Sequence, residues 1–387
     1  MKILLIGEYN SSHYTLKEGL EALNHDVLVV GLGDGFKKRV VDINLKLYFR
    51  TGFTSLIRKG IYRFFSIDIA SLLIRRQFSH HKSKFKGYDI VQLINEKPFS
   101  TTTRIEKELL SFIFKHNPNV FLLSCGTDHI SVKFAYDKKF RYSILTPFFE
   151  GKVSKKAFSH ILMRIEEPYL SLHKFVYKNI HGIIASDLDY HIPLIGNGKY
   201  LGMVPNPINL NKFKKIDLDI QHAIVIFHGI NRDNYYKKGN DIFDAALLII
   251  IKKYSERVKI ITVESLPYNT YIEAYKSAHI LLDQVYAYDQ GFNALEAMAM
   301  GKVVFTGAEQ EWLDYYNLEE DTVAINALPD AFKIAKKLEW LILNPNKILE
   351  ISKNAREFVE KHHNHINVAN QYIEKWQSKL NFRETQL

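Results

Sequence analysis

Residues 291–307 read GFNALEAMAMGKVVFTG and join a helix start, one carboxylate in apolar company and a buried strand. Ala294, Leu295, Ala297, Met298 and Ala299 favour a helix, and Gly301 stops it. The pattern predicts a helix over about 291–300, with small residues that let it approach a sheet closely. Its first N–H groups have no partner within the helix, so they can hold an anion such as a phosphate. Glu296 stands out. Among Ala, Leu and Met, a carboxylate must reach water or accept hydrogen bonds from hydroxyl or N–H groups. An ordinary surface carboxylate is the plainer alternative.

The strand that follows belongs to a series. Val204-Pro205-Asn206-Pro207 cannot be helical and marks a rigid crossing. After it, strands are expected at 223–227, 258–263, 280–283, 303–306 and 322–325, with helices near 241–253, 271–277, 291–300, 329–343 and 347–362. Before it, strands are expected at 2–9, 26–32, 89–94, 119–125 and 181–186. Helices fall at 14–23 and 103–114, and the long basic, aromatic connection 131–179 reads as mostly helical. Strands alternating with helices imply parallel, doubly wound sheets. The chain divides into domains 1–203 and 204–365 and a closing segment 366–387, whose amphipathic helix carries Tyr372 and Trp376.

Glu296-Ala297-Met298-Ala299, Gly301 and Val303-Val304 resemble the donor-binding helix and strand of retaining GT-B glycosyltransferases of family 4. The resemblance implies an α/β GT-B fold: two Rossmann-like doubly wound parallel-sheet domains with a cleft between them and a C-terminal helix crossing back onto the first. It implies that Glu296 grips the ribose of a nucleotide sugar, while the residues before the helix surround the sugar and its diphosphate. The family has a second glutamate eight positions earlier. Here that position is Tyr288, and the sugar contact falls to Asp289 or to backbone groups of Gln290, Gly291, Phe292 and Asn293.

The residues after the expected strand 223–227 are similar to the family's pair of diphosphate-binding cations. An Arg after that strand and the Lys of a Lys-Gly pair correspond to Arg232 and Lys238, with Gly229 and Gly239 beside them and Lys237 as the rival of Lys238. Charge develops on the diphosphate as the sugar departs, so fixed cations there act most in the transition state. Tyr268 lies where related enzymes hold the base. On the acceptor side, Gly126-Thr127-Asp128-His129 ends an expected strand, and Asp128 or His129 could orient the acceptor hydroxyl or take its proton. An N-cap is the equal alternative for Asp128. By resemblance Tyr9, Asn10 and His13 border the acceptor.

Composition narrows the partners. The chain has 387 residues, enough for two domains, and 47% hydrophobic content. No apolar run approaches the roughly 20 residues needed to span a bilayer, and the start has too short an apolar stretch for a secretion signal. One cysteine, Cys125, excludes an internal disulfide, fits a reducing cytoplasm and reads as a core residue. The net charge of +10 is concentrated: residues 36–88 hold thirteen Lys and Arg against Asp42 and Asp68. Aromatic and aliphatic residues are interleaved with those cations. This is the pattern of a surface that meets anionic lipid headgroups at the inner face of a cell membrane, or of a helical insertion with its apolar side on the core.

Other chemistries are disfavoured. The first loop has only Gly7, so the three-glycine dinucleotide fingerprint is missing and NAD binding there is not expected. Gly31-Leu32-Gly33-Asp34-Gly35 follows the second strand, the wrong position. Asp187-Leu188-Asp189 and Asp217-Leu218-Asp219 match a loose Asp-x-Asp pattern without its context, and His362-His363-Asn364-His365 ends a helix where His complements the dipole. No metal, cofactor or nucleic-acid partner is expected. The reading is a hexosyl transfer from a UDP- or GDP-sugar to a hydroxyl of a glycan or lipid-linked saccharide in bacterial surface polysaccharide synthesis, with retention implied by the family resemblance alone. Nucleotide-sugar epimerisation and a catalytically silent sugar-nucleotide-binding or scaffold homologue are the alternatives.

Overall fold

The computed structural model describes residues 1–33, 37, 41–49 and 51–384, with the backbone alone for 381–384. The first lobe opens with β1 (Lys2–Ile6), α1 (Ser12–Ala22), β2 (Asp26–Gly31), β3 (Ile43–Asn44), α2 (Gly52–Phe65) and α3 (Ile69–His80). It continues through β4 (Ile90–Leu93), α4 (Thr103–His116), β5 (Val120–Ser124), α5 (His129–Tyr136), α6 (Thr146–Phe149), α7 (Ser159–Leu162) and α8 (Tyr169–Asn179) to β6 (Gly182–Ala185), α9 (Leu188–Leu194) and β7 (Tyr200–Met203). The second lobe runs β8 (Ile224–Ile230), α10 (Tyr235–Lys238), α11 (Asn240–Tyr254), β9 (Val258–Glu264), α12 (Tyr268–Tyr275), β10 (Ile280–Leu282), α13 (Phe292–Ala299) and β11 (Val303–Thr306). It closes with α14 (Gln310–Tyr316), β12 (Ile325–Asn326), α15 (Ala331–Leu343), α16 (Pro345–His362) and α17 (His365–Glu384).

Both sheets are parallel throughout, in the orders β3-β2-β1-β4-β5-β6-β7 and β12-β11-β10-β8-β9. Ile3 to Ile6 of β1 are buried on both faces, as a parallel strand covered by helices requires. Each order reverses once beside its first strand, between β1 and β4 and between β8 and β10. Ligands bind in the crevice outside the carboxyl ends at such a reversal.

The chain crosses between the lobes twice, and the crossings are stitched together. Ile208 N–H donates to the His363 carbonyl at 2.7 Å, and His365 N–H donates to the Ile208 carbonyl at 3.1 Å. His363 Nδ1 donates to the Asn206 carbonyl at 2.8 Å, and burial holds this ring down at about 4, so it stays neutral. The histidine run is thus a hinge clasp. Beyond it, Val368, Ala369, Tyr372 and Trp376 of α17 pack with Leu16 and Leu20 of α1 on the first lobe. A Cβ at Gly19 would come within 2.2 Å of the His365 carbonyl oxygen, so only glycine permits this approach.

Local differences from the sequence reading have physical causes. Strand β8 continues through His228-Gly229 to Ile230, because buried His228 Nε2 finds Asn240 Oδ1 at 2.9 Å. The two-residue strand β3 has no periodicity to read. Strand β7 contains Gly202 at φ 106°, which obscured it, and the strand expected at 322–325 is confined to Ile325–Asn326. Within the basic run, Phe36, Lys38, Arg39 and Arg50 lie outside the described residues, as do Asp34 and Gly35 of the glycine-rich stretch.

Candidate functional site

Loops after β1, β5 and β6 meet loops after β8, β9 and β10 across a cleft that holds a cavity of about 640 Å³. On its second-lobe wall lies α13. Glu296 is buried there and accepts a hydrogen bond from the Tyr268 hydroxyl at 2.9 Å on Oε2. Its Oε1 pairs at 2.5 Å with Nζ of Lys37, a first-lobe residue 259 positions away. The side chains are only 4% and 3% exposed, so this is a buried ion pair tying the lobes. The ammonium also sits 5.2 Å from the ring centres of Tyr268 and Phe292, whose π faces add attraction.

At the reversal of the second sheet, Lys238 Nζ donates to Asp283 Oδ1 at 2.9 Å, and Asn293 Nδ2 donates to the same oxygen at 2.7 Å. Asp283 is buried at the end of β10 and aims the lysine at the cavity. Gly239, at φ 74°, ends α10; a Cβ there would lie 2.6 Å from Val285 Cβ. It supports the wall from behind, whereas Gly229 lines the cavity and leaves room for the Tyr271 ring.

Arg232 is elsewhere. It stands in a short 3-10 turn capped by Asn231, its side chain 56% exposed, and forks onto Glu264 at the surface. Lys237, rather than Arg232, lines the cleft beside Lys238. Asn231 lines it too.

Asp289 and Gln290 line the cavity before α13. The Asp289 carboxylate accepts from the Leu188 N–H at 3.1 Å and the Gln290 N–H at 2.6 Å, while Gln290 Nε2 donates to the Gly307 carbonyl at 2.6 Å. Gly291 caps the helix, and Phe292 and Asn293 face the cavity. Tyr288, in the place of the family's glutamate, is a brace: its hydroxyl accepts from the Arg141 N–H at 2.8 Å and its ring packs against Phe140 and Tyr142.

Asp187 and Asp189 of the first lobe come to the same wall, where Asp189 accepts from the Tyr288 N–H at 3.1 Å. The dismissed Asp-x-Asp pair is therefore a carboxylate cluster shared with Asp289 across the cleft. Among the described residues no group of three His, Cys, Asp or Glu is arranged to hold a metal ion. Burial lifts Asp189 to about 7 and Asp289 to about 6. Their folded values exceed the unfolded one, so these two carboxyls bind more protons in the folded state between pH 4 and 7, and their contribution to stability falls as pH rises through that window. Buried His13 and His363, held down at about 4, push the opposite way, so the test is a difference: the melting midpoint of the wild type minus that of Asp189→Asn should decline from pH 4 to pH 7.

On the acceptor side Tyr9 and Asn10 line the cavity. His13 does not. It is fully buried under the first loop, Nδ1 on the Gly7 carbonyl at 2.9 Å, and burial holds it down at about 4. Asp128 is also internal: it caps α5 through the Ser131 N–H at 2.8 Å and accepts the Ser124 hydroxyl. Burial, then the nearby Glu96 charge, raises its pKa. His129 Nδ1 donates to the Arg164 carbonyl at 2.9 Å. Neither residue lines the cleft cavities. The sequence reading missed Lys37, Asp283, Asp187 and Asp189 as site residues; only Asp283, closing an apolar strand, carried a local signal.

Residues 235–374 match the sequence model of a family described as glycosyl transferase-like. No curated protein matches the chain. Among solved structures it is similar to sucrose-phosphate synthase from Thermosynechococcus elongatus, with TM-score 0.64 and 16% identity over 98% of this chain and 99% of that one. It is also similar to Anabaena HepE in complex with UDP-glucose, with TM-score 0.57 and 15% identity over 98% and 100%. A glycosyltransferase from Rickettsia africae gives TM-score 0.53 and 12% identity over 98% of both chains. The chain therefore has the GT-B fold, two parallel-sheet α/β lobes with a cleft between them.

Proposed function

We propose that this protein is a glycosyltransferase that moves a hexose-type sugar from a nucleotide-diphosphate donor to a hydroxyl of a glycan or lipid-linked saccharide. The observation that carries the reading is one cavity at the reversal of both sheets, lined by Glu296, Tyr268, Lys238 and Asp283. A carboxylate has about four acceptor positions. Two are taken by Lys37 and Tyr268, which leaves room for the ribose hydroxyls. Lys238, held by Asp283, supplies the positive charge for the departing diphosphate, and the N-terminus of α13 offers N–H groups to the same anion. The UDP-glucose bound by HepE makes UDP-sugars the first donors to try. Retention of configuration and a place in surface polysaccharide assembly belong to the same proposal.

Calorimetric titration with UDP-, GDP-, dTDP- and ADP-sugars tests it, followed by product analysis with and without acceptor. Binding with hydrolysis or transfer is the expected result, and absence of binding to all four sinks the reading. Turnover of donor alone to an isomer would mean epimerisation. Tyr288, a packed brace where the family has a glutamate, favours the silent homologue as the second reading. Binding without any turnover would establish it.

The acceptor side is proposed to work at an anionic membrane surface. None of the 14 residues of α2 is buried. Phe53, Leu56, Ile57 and Phe64 recur at helical spacing on one side, with Phe53 76% and Phe64 80% exposed. The apolar side thus points away from the core, with Lys59 and Arg63 on the same helix to meet lipid phosphates. Arg58 anchors the helix through Asp68 at 2.5 Å. Among the described residues no helix is long and apolar enough to cross a membrane. Sedimentation with phosphatidylglycerol vesicles at low salt should capture the protein, and Phe53→Ser with Phe64→Ser should weaken partitioning about 100-fold. Indifference to the vesicles, or concentration-dependent self-association through α2 instead, would defeat the membrane assignment.

A further inference from the structure

Beside the main cavity, and sharing Tyr9, Asn10 and Lys237 with it, lies a second cavity of about 450 Å³ lined also by Glu8, Thr127 and Arg164. Its cations are unusual for this protein. Elsewhere in the cleft positive charge is matched: Lys37 by Glu296, Lys238 by Asp283, Arg141 by Glu309 and Glu311. Arg164 Nε and Nη1 are buried and have no hydrogen-bond partner. Lys237 has neither a hydrogen bond nor an ion pair among the described residues.

The two come from opposite lobes and converge. Both bear on His160, whose proton affinity is lowered first by burial and then by Lys237 and Arg164. Arg164 is held in place rather than loose. Its guanidinium stacks on Tyr169, 4.6 Å from the ring centre, and its carbonyl accepts from His129. Buried donors without acceptors cost stability, and each asks for an explanation. A preset guanidinium fork with a lysine beside it matches the oxygens of a phosphoryl group. Glu8 and the Thr127 hydroxyl are suited to sugar or polyol hydroxyls in the same space.

Resting on the glycosyltransferase reading, we propose that this second cavity is an acceptor subsite for a phosphorylated hydroxyl compound, with Arg164 and Lys237 closing on its phosphoryl group from the two lobes. The acceptor hydroxyl then reaches toward the main cavity past Tyr9 and Asn10. His129 serves as a positioning residue for Arg164.

The test is a titration of the full-length protein, with and without saturating UDP, using inorganic phosphate, glycerol 1-phosphate and glycerol as probes. Both phosphates should bind and glycerol should not. Arg164→Gln and Lys237→Met should each weaken phosphate binding at least about tenfold, the effect of losing a charge-assisted bond. For Arg164→Gln, which lies outside the main cavity, the affinity for UDP should change less than about twofold, which also shows that this variant is folded. Arg164→Lys should keep part of the phosphate affinity. If neither phosphate binds, or glycerol binds as well as its phosphate, the proposal fails. If Arg164→Gln loses UDP as strongly as phosphate, the anion served is the donor's diphosphate, and the subsite assignment is overturned. Failure of UDP to bind at all would exclude UDP as the donor nucleotide while leaving the phosphate titration readable on its own.

Discussion

Glu296→Gln is expected to weaken nucleotide-sugar binding at least about tenfold and to lower the stability of the ligand-free protein by about 3 kcal/mol. The two effects have different origins. In the ligand-free protein the carboxylate neutralises a lysine that is almost fully buried, and breaking such a pair strands a charge away from water. With a nucleotide sugar bound, the same carboxylate accepts ribose hydroxyls, and a neutral amide accepts them less strongly. A second substitution separates the contributions. In Lys37→Met/Glu296→Gln no charge is stranded, so denaturant melts should recover most of the lost stability. Nucleotide-sugar affinity should stay low. A double variant that binds donor as the wild type does would remove Glu296 from the ribose role, whatever its stability.

The fold was legible because parallel strands are buried on both faces and announce themselves as short apolar runs. Ile3 to Ile6, Val120 to Leu123 and Val303 to Phe305 are such runs, and the helices between them carry their own periodicity. Strands that break the pattern were lost: β8 past Phe227, where His228 and Gly229 look like a loop, and β7, where a glycine at positive φ interrupts it.

The site divides along a similar line. Glu296 was visible because a lone carboxylate among alanines and methionines is costly unless it has work and partners. Its lysine was not, since nothing local distinguishes Lys37 from the other cations of the basic run, and the contact spans 259 residues. Spacing along the chain could not tell which cations face inward. The Asn231 cap turns Arg232 outward to Glu264, and the four-residue helix Tyr235–Lys238 delivers Lys237 and Lys238 to the cleft instead. Asp128, expected to serve the acceptor hydroxyl, and His13, expected at the acceptor border, are instead occupied by the backbone N–H and carbonyl groups of their own loops.

That outward turn sets up the sharper of the two kinetic expectations. Lys238→Met should lower kcat by about 100- to 1000-fold with a much smaller change in KM, because negative charge on the leaving diphosphate grows toward the transition state. Arg232→Ala should leave kcat nearly unchanged, since an exposed pair with Glu264 lies outside the cavity. Lys238→Met also removes a partner from buried Asp283, yet Asn293 still donates to that carboxylate at 2.7 Å, so the wall should hold and thermal melting should shift only modestly. Measuring both variants with a donor that binds, under single-turnover conditions, isolates chemistry from release. Equal and large losses in the two variants would mean that Arg232 leaves Glu264 and enters the cleft during the reaction. A wild-type rate for Lys238→Met would show that the leaving group is neutralised elsewhere, with Lys237 as the neighbouring cation already on the cavity wall.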